Sequence, residues 1–290
     1  MPGKLRNQFF VAFLILIILP TSILQIYQFL KIEWLMESSI NELNANYLEG
    51  LARTAEDLKR NVLKSMLMLE KNKNISSMLR EPERYDLVER KVEFDNRFET
   101  MRSFVASGSS YVYFMIADMH GNLYTSFSPG ASVTYQNIVY SREFADLRNT
   151  ENAYQWIVHE NRLEGKSSNA FMLSLFSVAA DDEGKPYGMV RISIDYQQWL
   201  TSSAKEYSSG QKFFIVDGAD RVIASAGPGT NDIAPGIAKK LTLERTKGHM
   251  IDKKTASIYN VQYIADTDWF LISRFPLDMF FGDLEAIRKQ

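Results

Sequence analysis

The chain has 290 residues, a formal net charge of -2, 46% hydrophobic and 23% charged residues, a globular balance that excludes wholesale disorder and gives no basic surface for nucleic-acid phosphates. It contains no cysteine, which excludes a disulfide framework, a thiolate metal site and a cysteine nucleophile. The length suits about two domains.

From Phe9 to Leu30 the sequence reads FFVAFLILIILPTSILQIYQFL, uncharged and long enough to cross about 30 Å of hydrocarbon as a helix. Each Leu, Ile, Phe or Val near its centre favours insertion by roughly 0.3 to 0.6 kcal/mol. Lys4 and Arg6 precede it, whereas Lys31 is followed by Glu33, Glu37 and Glu42. The positive-inside rule therefore predicts residues 1–8 as a cytoplasmic tip, 9–30 as the span and everything from Lys31 outside the cell. Gln25 to Trp34 lacks the small-residue site at which a signal peptide is cleaved, so an uncleaved anchor is expected.

Ile40, Leu43, Tyr47, Leu51, Ala55, Leu58, Val62, Met66 and Leu69 recur at steps of three or four, which predicts one long helix from Ile32 to Met78 with a single apolar stripe. Periodicity leaves two uses for its beginning: a dimer seam along Ile40, Leu43, Tyr47 and Leu51, or burial against the chain's own fold. After Pro82, the residues Leu87, Phe94, Phe98, Met101 and Val105 predict a second amphipathic helix folding back on the first. Residues 31–110 thus form a helical section.

Strands follow. Tyr111 to Ala117 and Asn122 to Phe127 flank the turn Asp118-Met-His-Gly121, a hairpin pattern. Phe171 to Ala180 and Tyr187 to Asp195 form a second pair, and Lys212 to Ser225 a third. Without gaps, YFMIADMHGNLYTS (Tyr113 to Ser126) aligns with KFFIVDGADRVIAS (Lys212 to Ser225), matching Phe114 with Phe213, Ile116 with Ile215 and Asp118 with Asp217. Each copy is followed by two further strands, within Phe171 to Asp195 and His249 to Phe275. The repeat predicts two similar α+β subdomains in tandem, 111–205 and 206–275. Pro276 to Gln290 reads as a closing helix.

No phosphate-cradling Gly-x-x-x-x-Gly-Lys loop, His-Glu-x-x-His pair or Gly-x-Ser-x-Gly turn is present. His120, His159 and His249 have no ligand at metal spacing and read as surface or turn residues. Asp118 and Asp217 read as turn formers whose side chains bond the backbone. No catalytic residue, metal ligand or cofactor is expected.

The order of elements, with FMIADMHGNLYTS, FFIVDGADRVIAS, GMVRISIDYQQW and TDWFLISRFPLDMF, resembles the extracellular double Cache region of bacterial transmembrane receptors. The opening KLRNQFFVAFLILIILPTSILQIYQF looks most like YesM-type sensor histidine kinases, which pair with an AraC-type response regulator and often regulate carbohydrate uptake. The resemblance implies an α+β fold with one N-terminal transmembrane helix, a long outer helix and two tandem PAS-like (Cache) subdomains with antiparallel sheets. It also implies a membrane-distal subdomain at 111–205 and a membrane-proximal one at 206–275, with 276–290 leading toward a second span and a kinase core that this chain lacks. The implied role is extracytoplasmic sensing in two-component signal transduction. Expected partners are a small-molecule ligand, for instance a carbohydrate-related one, or a solute-binding protein, together with the membrane and a second copy as a homodimer, and no nucleic acid. Chemoreceptor or diguanylate cyclase parentage and a purely protein-binding Cache domain stand as alternatives. Amino-acid-binding members cluster Arg-x-Trp-Tyr, which this sequence disperses as Tyr140, Arg142 and Trp156.

Period-two alternation puts Val190, Ile192 and Ile194 on one sheet face, suited to the long helix, and Met189, Arg191, Ser193 and Asp195 on the other. Val112, Phe114 and Ile116 share the first face, leaving Tyr113 with the polar set. The expected ligand site is that second face, covered by Tyr135 to Trp156, with Tyr113, Tyr140, Arg142, Trp156, Arg191 and Asp195 as binding residues. In the resemblance, Asp195 holds the strand-end position of a ligand-contacting Asp. The competing reading is an Arg191–Asp195 salt bridge on a solvated face.

Overall fold

The computed structural model describes residues 2–105, 111–148, 154–160, 171–204, 210–227, 233, 248–252, 254–265 and 267–277. Helix α1 (Pro2–Glu70) runs for 69 residues, and the chain divides into two compact units, one ending at Tyr47 and the other beginning at Leu48. Among the described residues α1 is the one helix long and apolar enough to cross a membrane, and the side chains from Phe10 to Leu30 are exposed. Pro20 cannot donate a hydrogen bond back to the preceding turn. Beside it, the Thr21 hydroxyl donates to the carbonyls of Ile17 (2.7 Å) and Ile18 (3.0 Å), as hydroxyls do in interrupted spans.

In the second unit α1 buries Leu48, Leu51, Ala55, Leu58, Val62, Met66 and Leu69, close to the predicted stripe. The start of the stripe differs: Leu43 is 69% exposed, Tyr47 is half-buried, and Asn44 and Leu48 hold the buried places. Of the residues offered for a dimer seam, Leu51 is buried within the second unit. The predicted single helix to Met78 is also corrected. It stops at Glu70 and restarts as α2 (Lys73–Arg80), because the Asn72 side chain accepts from the Ile75 amide at 3.0 Å and caps the new helix. Helix α3 (Leu87–Val105) buries Phe94, Phe98, Met101 and Val105 as predicted, but Leu87 is exposed and Arg90 is buried. Arg90 Nη1 donates to the Tyr124 hydroxyl at 2.8 Å.

Two five-stranded antiparallel sheets follow. The first contains β1 (Val112–Asp118), β2 (Leu123–Thr125), β3 (Tyr154–Glu160), β4 (Phe171–Ala180) and β5 (Pro186–Asp195), in the order β2-β1-β5-β4-β3. The second contains β6 (Lys212–Val216), β7 (Val222–Ala226), β8 (Gly248–Asp252), β9 (Ser257–Tyr263) and β10 (Phe270–Pro276), in the order β7-β6-β10-β9-β8. The two orders are the same, so the repeat seen in one hairpin extends to both sheets. Each copy has three further strands and not two: β3 was not expected, and the span His249 to Phe275 holds β8, β9 and β10.

The turn chemistry repeats as well. Asp118 Oδ1 accepts from the amides of His120 and Asn122 (2.8 and 2.9 Å), and Asp217 Oδ1 from those of Ala219 and Arg221 (3.0 and 2.8 Å). Asp181 does the same for Glu183 and Lys185 in the β4–β5 turn. The Asp bonds the backbone two and four residues on, and the residue between, Gly121, Gly184 or Asp220, takes the positive φ that closes the loop. Pro276 ends β10 and does not open a helix; the rest of the expected closing helix, 278–290, lies outside the described residues.

One face of the first sheet meets the helices. Phe98 of α3 stacks on Phe114 at 5.8 Å, and the Ser177 hydroxyl donates to Glu70 at the end of α1. Val190, Ile192 and Ile194 are buried, as alternation predicted. Burial pushes the Glu70 carboxyl above its ordinary value, and the Ser177 hydrogen bond partly opposes this. A raised folded-state value means that the native chain binds this proton more tightly than the unfolded one, so the contribution to stability is full in acid. It declines as pH climbs from the unfolded carboxylate range through the raised value. Glu70→Gln, which keeps the acceptor, is expected to flatten that decline and to stabilise the chain at neutral pH. Denaturation midpoints measured across this window check it; an unchanged slope counts against the assignment.

Candidate functional site

The other face of the first sheet is roofed by two short helices, α4 (Tyr135–Val139) and α5 (Arg142–Arg148). Thr134 caps α4 by accepting from the Asn137 amide. Ile138, Val139, Phe144 and Leu147 pack from the roof onto Tyr113, Met115, Met172, Phe176 and Met189 of the sheet. The described part of the segment expected to cover this face does so as far as Arg148.

Between roof and sheet lies a cavity of about 510 Å³. Its roof side is lined by Ser132, Val133, Asn137, Ile138, Ser141, Glu143 and Phe144, and its sheet side by His159, Glu160, Phe176 and Arg191. Arg191 is its charged centre. The Nε donates to the Ser193 hydroxyl at 3.1 Å and to that of Ser174 at 3.4 Å, and an Nη2 hydrogen goes to His159 Nε2 at 2.7 Å. The guanidinium also lies 5.1 Å from the centre of the Phe176 ring. Nη1 makes no hydrogen bond among the described residues.

A guanidinium only donates, so His159 Nε2 must present its lone pair, and Nδ1 then donates to the Glu160 carbonyl at 2.8 Å. Ser174 closes the network, 2.6 Å from both His159 Nε2 and the Ser193 hydroxyl. Burial pulls the Arg191 guanidinium down to about 10, against the opposing field of Glu143. It remains cationic at neutral pH, held rigidly by neutral partners. Glu143 is half-buried and makes no ion pair among the described residues.

Of the six residues chosen from the sequence, the structure puts Arg191 in the cavity. Tyr113 lies beneath the roof in the apolar cluster, its hydroxyl 3.4 Å from Gln198 Oε1. Asp195 is on the expected face, but its carboxylate caps helix α6 (Tyr196–Ser203) by accepting from the Gln198 amide at 2.9 Å. Tyr140 is 78% exposed. The Arg142 side chain is 91% exposed and sits 3.6 Å from Asp146, one helical turn on. Trp156 points to the opposite face, with Lys59 of α1 at 5.5 Å from its ring, because it pairs with Leu175 on β4 and so shares that residue's side of the sheet. His159, read as a surface or turn residue, is instead a half-buried strand residue bonded to the central cation. Glu143 and Ser174 were also missed as parts of one site, whereas Ser193 lies on the face expected to hold it.

Helix α6 joins the sheets. It follows β5 directly, and the Gln197 side chain bonds both main-chain groups of Ser225 on β7, donating to the carbonyl at 2.6 Å and accepting from the amide at 2.9 Å. The Tyr196 ring meets Trp269 edge-on at 5.1 Å, and its hydroxyl reaches the Ala55 carbonyl of α1 at 3.4 Å.

No family model and no curated protein matches the chain. Solved structures do. The extracellular domain assigned to a histidine kinase, rpHK1S-Z16, matches with a TM-score of 0.53 at 13% identity, covering 85% of this chain and 98% of that one. The ligand-binding domain of the Campylobacter jejuni chemoreceptor Tlp3 in complex with 4-methylisoleucine matches at 0.54 and 11%, covering 83% and 92%. The periplasmic sensory domain of the Campylobacter jejuni chemoreceptor Tlp1 matches at 0.52 and 12%, covering 81% and 94%. The fold is therefore that of receptor sensor domains, mixed helix and sheet with two antiparallel five-stranded sheets.

Proposed function

We propose that the chain is the extracytoplasmic sensing region of a membrane-anchored signalling receptor, and that it binds a small solute in the cavity between the first sheet and α4–α5. The observation that carries this reading is Arg191, a half-buried cation with an unbonded Nη1 beside the cavity and the Glu143 carboxylate across from it. Charge-assisted bonds in a water-poor cleft are the strong ones. Such a pair suits a solute with a carboxylate at one end and an ammonium or hydroxyl group at the other: an amino acid, a hydroxy acid or a sugar acid. Phe176, Phe144 and Ile138 supply the apolar wall, and Tlp3 has been solved with L-valine and 4-methylisoleucine.

The N-terminal span, with Lys4 and Arg6 on the cytoplasmic side, anchors this region outside the cell in this reading. The output is a histidine kinase of the YesM type, supported by the opening sequence and by the likeness to the rpHK1S-Z16 domain. A chemoreceptor is the second reading, favoured by the likeness to Tlp3 and Tlp1.

The test is a thermal-shift screen of L-amino acids, hydroxy acids, uronic acids and neutral sugars against the purified protein. A solute at a hundred times its Kd stabilises the protein by about 2.7 kcal/mol, and the expected hits carry a carboxylate. Hits confined to neutral sugars would remove Arg191 from its role. Stabilisation only by a solute-binding protein would replace the direct-binding reading.

A further inference from the structure

We infer that His159 is a proton-dependent partner of Arg191, and that the cavity takes up one proton from solvent on this ring together with a carboxylate-bearing solute. The inference rests on the reading of the cavity as a solute site, and it names the ionisable residue that regulates that site.

The ring is placed for both of its charge states. Neutral His159 has one lone pair, at Nε2, and two groups lie against it: Arg191 Nη2 at 2.7 Å and the Ser174 hydroxyl at 2.6 Å. An imidazolium instead donates from both nitrogens. Both acceptors are already in position, the Glu160 carbonyl 2.8 Å from Nδ1 and Ser174 Oγ 2.6 Å from Nε2. Ser174 then turns its own hydrogen to Ser193, 2.6 Å away. Protonation therefore asks no movement of the ring; it breaks the contact with Arg191 Nη2, because two donors cannot face each other. Nη2 joins Nη1, and the two take both oxygens of one carboxylate in the forked geometry of a guanidinium.

Charge couples the two events. In the empty cavity an imidazolium stands against the Arg191 cation, and that repulsion favours the neutral ring. Among the described residues, Glu143 of α5 is the ionisable group that lines the cavity from the roof. On the ring's own strand the Glu160 carboxylate falls on the opposite face by alternation. Asp195 of β5 stands two strands away, across Met172, with its carboxylate capping α6. These anions are there with or without solute, so the arriving carboxylate is what offsets the repulsion. Proton and solute each raise the affinity for the other by the same factor.

The test uses the full chain in lipid nanodiscs, labelled with 15N-histidine, with sodium acetate as the probe and sodium chloride at equal ionic strength as the blank. The chain has three histidines, and His159→Gln identifies the signal. At about pH 8, above the ordinary histidine range, His159 Nε2 should be unprotonated. Acetate should raise the pH at which His159 protonates by about one unit or more, and thermal melts should show acetate bound about tenfold tighter at about pH 5.5 than at about pH 8. In His159→Gln, which offers an acceptor that does not titrate, acetate binding should lose its pH dependence. Glu143→Gln should retain it. A proton on Nε2 at the alkaline end, a His159 titration indifferent to acetate, or a pH dependence that disappears with Glu143 in place of His159 overturns the inference. Acetate binding that is lost in Arg191→Met but equal at both pH values overturns it and leaves the solute reading standing. Absence of any acetate effect on the ring or the melt overturns both.

Discussion

Arg191→Met is expected to weaken binding of a carboxylate-bearing solute by about a hundredfold or more, because two charge-assisted hydrogen bonds at about 1.5 to 3 kcal/mol each are lost. Methionine fills much of the same volume against Phe176, and Ser174, Ser193 and His159 can still bond one another. Stability should therefore fall by no more than about 1 to 2 kcal/mol, the range for loss of a part-satisfied buried polar group. Calorimetry with the best hit of the screen, beside a thermal melt of each protein, separates the two effects. Equal affinities for parent and variant would place the solute elsewhere. A variant that no longer folds would instead identify Arg191 as a structural element of the sheet.

The other large effect is expected from Trp269→Ala, at about 3 to 5 kcal/mol of stability, the range for emptying a buried aromatic site. Trp269 is almost wholly buried just before β10. Its main chain is fixed from both sides, the amide donating to the Thr267 hydroxyl and the carbonyl accepting from Ile264. The indole stands edge-on to Tyr196, which is packed in turn against Trp199. Burial drives the Tyr196 phenol upward, so it stays protonated and keeps donating to α1. Collapse of neighbours into the vacated space is restricted, since α6, α1 and the second sheet all converge on it. Urea unfolding followed by circular dichroism reads the change; a loss under about 1 kcal/mol would show that the junction repacks freely.

Much of the sheet architecture was legible because it is written locally. The Asp-led hairpins, the alternation that separates Ile192 from Arg191, and the match of Phe114 with Phe213 depend on residues close in sequence. The cavity was half legible: alternation assigns Arg191 to the covered face, but nothing near His159 in sequence announces its partner. Arg191 lies 32 residues away, brought near by the registers of β3 with β4 and β4 with β5. Residue type alone misled at Tyr140 and Arg142, which have aromatic and cationic character but sit on the outer turns of the roof. Two misses did carry a signal. Asn72 and Asp195 each stand immediately before a helical stretch, the position where a short polar side chain caps a helix. Asp195 was read as a ligand contact because its strand was considered and the helix after it was not. Trp156 was missed by its register, which only the pairing of β3 supplies.

The grip of Gln197 on Ser225 has a consequence for what the second sheet is denied. Strand β7 is the last in its row, and an outermost strand normally offers bare amides and carbonyls to any passing extended chain, the first step toward runaway strand addition. At Ser225 the carboxamide of Gln197 occupies both groups, as the peptide unit of a neighbouring strand would. The protein thus seals that part of its border with a glutamine from the adjoining helix, which keeps this strand from recruiting an extended neighbour.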